Sequence, residues 1–274
     1  MLNTSILVSQ SSIDSDDSYD IIMSNIDTLN QAFDRYLDYD DVSAAALQSY
    51  HVDYYLAQVE NGGFSQFVYN SNWDPRMQTW IREGLKAMQA KKHAALFEKS
   101  AAIVNQWTAE QVQQFCDGEY FGENQQINVM SQFDDAFYAL SEREDLITLN
   151  SQWLKNHPQL NVLADDQIAD YLDQAAEQIP DFEARIQAAK QNQPRYFKVI
   201  DALCQVAGQH LEQITMGDPS HEHQAQQITA WHFLTEQGHF YMLDFGDTAQ
   251  MFKGDSQQLI AEVDASAIPV DEAE

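Results

Sequence analysis

The residues best suited to chemistry are His221-Glu222-His223, with His232 and His239 close behind in the chain. Two imidazoles at i and i+2 share one side only of an extended chain, where they could hold a divalent cation. With nearby carboxylates such a cation could activate water, so a metal-dependent hydrolase using His221 and His223 is one reading. HExxH is absent, and a polar loop is the plainer reading. Asp134-Asp135 pairs two carboxylates without a second acidic cluster at fixed spacing, and is read as facing solvent beside Phe133 and Phe137. No GxSxG, Walker or GxGxxG string occurs. Cys116 and Cys204 are far apart, outside any CxxC or Cys/His pair, and read as small buried hydrophobes in a reducing compartment. The expectation is a chain with no catalytic residues, no metal and no cofactor.

Charge is the stronger signal. Fourteen Lys and Arg stand against 43 Asp and Glu, a net charge of −29. Such a field repels nucleic acid and anionic membranes and attracts basic proteins, polyamines and cations. Most carboxylates must stay in water, because a buried unpaired one would be driven neutral. Residues 51–100 depart from the rest with five acids and six bases, among them Lys86, Lys91, Lys92 and Lys99. The acidic surface is therefore expected to be arranged by position. Acids recur at helical spacing in Asp34/Asp38/Asp41, in Asp135/Glu142/Asp145 and in Asp166/Asp170/Asp173/Glu177. Like charges three or four residues apart cost a few tenths of a kcal/mol per pair.

The elements that hold these groups are mostly helices. Residues 1–18 read as a flexible acidic tail. From Asp20 onward Ile22, Ile26, Leu29, Phe33 and Leu37 mark one helical face. A second helix runs from Asp41 to a stop at Asn61-Gly62-Gly63. Pro75 suits the first turn of the next, and a further one follows from Lys91. Residues 131–156 read as one long amphipathic stretch, 164–190 as another helix, and 196–217 as one more. Short aromatic and β-branched runs then alternate with Glu236-Gln237-Gly238 and Gly246-Asp247, which are hairpin signals. The predicted fold is mainly α with a small C-terminal antiparallel sheet over 226–253, then a short helix and an acidic tail ending DEAE. The expected divisions are 1–18, a helical domain at 19–160, a helical extension at 161–218 and a β/α region at 219–274. No run approaches the ~18 apolar residues that would span a membrane. The start lacks the basic flank of a signal peptide. A cytoplasmic location is expected.

The most distinctive segment is Glu60-Asn61-Gly62-Gly63-Phe64-Ser65-Gln66-Phe67. Two glycines let the chain turn through positive φ. Phe64 and Phe67 then dock on the core, while Asn61, Gln66 and Asn70 can satisfy backbone groups freed by the turn. This string resembles the signature of a bacterial DNA-mimic family whose domain was long of unknown function. The resemblance extends through Trp73, the segment from Gly84 to Lys99, Phe133-Asp134-Asp135-Ala136-Phe137-Tyr138-Ala139-Leu140, Trp153 and His157-Pro158. It covers roughly residues 41–160. It implies an all-helical domain that displays carboxylates in place of DNA phosphates and occupies the groove of a DNA-binding protein.

The leading expectation is thus a non-enzymatic binding protein. Its partner would be a basic DNA-binding protein, such as a transcriptional regulator or nucleoid protein, with no direct contact to nucleic acid or membrane. Partner-binding carboxylates are expected at Asp34, Asp38, Asp41, Asp134, Asp135, Glu142, Asp145, Asp166, Asp170, Asp173 and Glu177. Asn61, Gly62, Gly63, Phe64, Gln66 and Phe67 are expected to be structural. Besides the hydrolase, an immunity or adaptor module that neutralises a basic toxin shares the same electrostatics.

Overall fold

A computed structural model describes residues 2–118 and 125–269, so the DEAE terminus lies outside the described residues. The chain divides into two compact units, residues 1–182 and 183–274. Helices dominate the first and an antiparallel sheet the second, the α+β arrangement the sequence implies.

The first unit opens with an element that sequence periodicity missed. Ile6–Ser9 is a strand, β1, followed by the short helix α1, Gln10–Asp14. Residues 2–18, expected within a flexible tail, are thus ordered. Ile6, Leu7 and Val8 are buried in a core with Ile21, Ile22, Leu29, Leu47 and Leu172. β1 pairs in parallel with β2, Leu160–Leu163, in the register Ile6 to Leu160. Burial of three large apolar side chains offsets the cost of ordering the terminus.

Between the two strands run α2 (Asp20–Asp34), α3 (Ala44–Asn70), α4 (Pro75–Ala87), α5 (Lys91–Val104) and α6 (Ala109–Asp117). Then come α7 (Gln125–Met130), α8 (Asp134–Ser141) and α9 (Leu146–Lys155), and β2 is followed by α10 (Ile168–Glu177). Local chemistry sets several ends. Asp74 caps α4 by accepting from the N–H groups of Arg76 and Met77, with Pro75 in the first turn. Thr108 and Gln111 form a capping box on α6. The stretch 131–156 is two helices rather than one. Asp145 accepts from the N–H groups of Ile147 and Thr148 and so starts α9 afresh. The helix expected over 164–190 is likewise divided, into α10 and α11 (Phe182–Asn192). Pro180 disfavours helical geometry at the residue before it.

The second unit packs α12 (Arg195–Ala207) against one face of a five-stranded antiparallel sheet. α12 stops at Gly208, whose φ of 66° is left-handed. Leu211–Asp218, expected as the tail of that helix, is instead the edge strand β3. Leu211 and Ile214 are spaced as on a helix face, but the ladder to β6 supplies this segment's backbone partners. A two-stranded ribbon, β4 (Glu222–His223) and β5 (Gln226–Gln227), precedes β6 (Ala230–Thr235), β7 (Gly238–Asp244), β8 (Thr248–Lys253) and β9 (Leu259–Asp264). The sheet order is β3-β6-β7-β8-β9, so the segment expected as a short helix after 253 is its last strand. Val199, Ile200 and Leu203 of α12 meet Phe233, Phe240, Met242 and Met251 in the core. Arg195 is buried at the start of α12. Its guanidinium donates to both carboxylate oxygens of Asp244, at 2.7 and 3.1 Å, and to the carbonyls of Gly246, Ala265 and Ile268.

Candidate partner-binding site

The Asn61-Gly62-Gly63 break sits inside α3, where Gly63 takes φ 79° and ψ 178°. The helix resumes at Phe64. Phe64 and Phe67 enter a cluster of aromatic rings with Tyr55, Trp73 and Phe97, at centroid distances of 5.1–6.3 Å. Edge-to-face contacts of this kind add to the burial of the rings. The backbone group freed by the kink is satisfied from far along the chain: the Phe64 N–H donates to Asp134 Oδ1 at 2.9 Å. Gln66 donates instead to the Gln58 side chain, at 3.1 Å, as does Asn70. Asp134 therefore does not face solvent as a free carboxylate; it is half-buried and holds the corner. Burial pushes its carboxyl up, and the Phe64 N–H partly restores it.

The three carboxylate rows fare differently. α2 ends at Asp34, so Asp38 and Asp41 lie in the following loop, where the Asp38 N–H donates to Asp41 at 2.7 Å. The middle row is not a helical row either. Asp135 is on α8, Glu142 is the residue after its end, and Asp145 is spent as the cap of α9. The third row holds: Asp170, Asp173 and Glu177 are exposed on α10, with Asp166 exposed in the turn before it.

The structure sets Asp34 in a different line, with Asp20 and Asp27. Asp20, Asp27 and Asp34 recur every seven residues along α2, and all three are exposed. A spacing of seven returns to nearly the same helix face. α10 packs beside α2. Arg35, at the end of α2, pairs with Asp173 of α10. Asp20, Asp27, Asp165 and Ile168 line one cleft of about 420 Å³. Asp41 shares another, of about 340 Å³, with Ala175 and Gln178 at the far end of α10. The exposed acids of α2 and those of α10 thus belong to neighbouring helices of one unit. Hydrogen bonds from Ser11 hold the Asp165 carboxyl below its ordinary range, which favours its charged form.

A second acidic group surrounds the α3 corner. Burial raises the Glu60 carboxyl, and Asp145 raises it further. Asp53, one of the few carboxylates buried in this unit, is pushed up to about 6 by burial and by Glu60, against a hydrogen bond from the Tyr19 hydroxyl at 3.3 Å.

In the second unit the histidines named above are spread over aromatic surfaces. His221 lies on Tyr241, with centroids 5.1 Å apart, and His223 lies between Phe245 and Phe252. His232 Nδ1 and His239 Nε2 are hydrogen-bonded to each other at 2.9 Å. Among the described residues no group of three or more His, Cys, Asp or Glu side chains has the geometry to hold a metal ion. Also among them, no helix is long and apolar enough to cross a membrane.

Compared with known proteins, residues 40–157 match the DMP19-like protein family, which is the DNA mimic protein family. No curated protein and no solved structure matches the chain.

Proposed function

We propose, from the premise that the chain carries at residues 40–157 a domain of the DMP19-like protein family, that it is a non-enzymatic DNA mimic whose carboxylates occupy the DNA-binding surface of a basic protein. One observation carries the reading beyond the family: the paired acidic helices. On α10, Asp170 to Glu177 are seven residues apart, about 10 Å at helical rise, and Asp166 extends the line into the turn before the helix. On α2, Asp20, Asp27 and Asp34 repeat at about 10 Å. Two adjacent lines of exposed negative charge on rigid helices offer Lys and Arg what duplex phosphates offer. The face lies on residues flanking the matched region. The family domain and the acid lines would therefore act together, with the α3 corner keeping the frame stiff.

The partner class is a transcriptional regulator or nucleoid protein, and the place of action the bacterial cytoplasm. The test is capture from a bacterial lysate on the immobilised full chain. A basic protein retained at low salt, released at high salt and displaced by duplex DNA is expected. The variant carrying Asp20→Asn, Asp27→Asn, Asp170→Asn and Glu177→Gln should lose most of that retention while keeping its helical circular dichroism. A captured protein that ignores both duplex DNA and the four neutralisations would overturn the proposal.

A further inference from the structure

In a chain with three acids for every base, one groove of the first unit has the opposite sign. α5 presents Lys92, Ala95, Leu96 and Lys99, and α8 presents Ala136, Ala139 and Leu140, to one open cleft of about 450 Å³, with Arg143 in the turn that follows α8. The α5 set falls at i, i+3, i+4 and i+7 and the α8 set at i, i+3 and i+4, so each helix turns a single stripe toward the cleft. The floor is alanine and leucine, and the rim is Lys92, Lys99 and Arg143, all exposed. These three cations form no ion pair among the described residues. Two nearby acids are already engaged. Glu144 accepts from the N–H groups of Lys92 and His93, at 3.0 and 2.9 Å. Glu98, on α5, pairs with Arg82 at 2.8 Å.

We propose that this groove is a second docking surface, distinct from the acidic face, and that it takes an acidic amphipathic helix from a protein partner. Alanine at three floor positions lets a third helix approach as closely as packed helices do, about 8–10 Å between axes. A stripe of eight residues fits about two turns of such a helix. The cations at the rim then meet acidic side chains flanking the guest's apolar face, which sets polarity and register. A small anion or a nucleic acid would have no use for the apolar floor, and duplex DNA is repelled by the rest of the chain. One molecule could thus hold a basic partner on one face and an acidic helical segment on another.

The probe is a fluorescent synthetic helix with leucine and alanine on one face and glutamate on the other, titrated with the full chain and read by anisotropy. Binding that weakens with salt is expected, and it should be weaker for the same peptide carrying glutamine in place of glutamate. Charge reversal by Lys92→Glu, Lys99→Glu and Arg143→Glu together should weaken it at least about tenfold. Ala139→Trp, at an exposed position, fills the floor and should weaken it as well, with the helical spectrum unchanged. The proposal is overturned if the acidic peptide does not bind, if the triple variant binds it equally, or if inorganic phosphate or duplex DNA displaces it fully.

Discussion

Replacing Gly63 with alanine should destabilise the first unit by about 4 kcal/mol, the sum of backbone strain and a lost hydrogen bond. At φ 79° and ψ 178° the residue occupies a region that is essentially glycine's alone. A Cβ built there would lie 2.4 Å from Asp134 Oδ2, the same carboxylate that accepts from the Phe64 N–H. The methyl group must push Asp134 aside, and the Phe64 donor is then left without its partner in a half-buried site. Asp134→Ala alone removes the acceptor without strain and should cost about 2 kcal/mol. Because the two changes damage one contact, the double variant should fall short of their sum. Urea unfolding of the full chain followed by circular dichroism measures all three. A Gly63→Ala protein as stable as the parent would refute this account of the corner.

That corner shows what sequence can reveal and what it cannot. The glycine pair announces a break in the helix, because local geometry needs no distant partner. Asp74-Pro75 and the two hairpin turns are legible for the same reason. The acceptor for the Phe64 N–H lies seventy residues on, and nothing in the local string marks Asp134 as that acceptor rather than as a solvent-facing acid. β1 is a similar case: four residues gain a strand only by meeting β2 across the whole helical unit. Leu211 and Ile214 read as a helix continuing because a spacing of three fits the helical period, whereas in β3 a register shift between Leu211 and Gln213 lets both pack on one core. Among the acids, the α10 row was visible at spacings of three and four. The α2 line, at a spacing of seven, is harder to see because no acid lies three or four residues from Asp27 to extend it into a row. The row across 135–145 misled because Asp145 is worth more to the chain as a helix cap than as a link in a continuous helix.

His51 and Asp53 carry the remaining large effect, a pair of opposed pH dependences two residues apart on α3. His51 is 1% exposed, touches the rings of Tyr39 and Tyr50 at 5.6 and 5.2 Å, and has no hydrogen-bond partner on either ring nitrogen among the described residues. Burial lowers it from 6.5 to about 4, against a small upward pull from Asp74. The unfolded chain therefore takes up this proton first. The contribution of His51 is full above pH 6.5 and shrinks as pH falls toward 4, by about 3 kcal/mol. Asp53 runs the other way. Its folded value, about 6, exceeds the ordinary 3.8, so the folded chain holds the proton more tightly. That contribution is full below pH 3.8 and is lost as pH rises through 6, again by about 3 kcal/mol. Between pH 4 and 6 the two slopes nearly cancel, and only single variants expose them. Relative to the parent, His51→Phe should gain about 3 kcal/mol as pH falls from 6.5 to 4, whereas Asp53→Asn should gain as much as pH rises from 4 to 7. Measuring differences between variant and parent removes the common effect of the −29 charge, which titrates in both. Stability profiles of the two variants that stay parallel to the parent across this window would show that neither side chain titrates out of water.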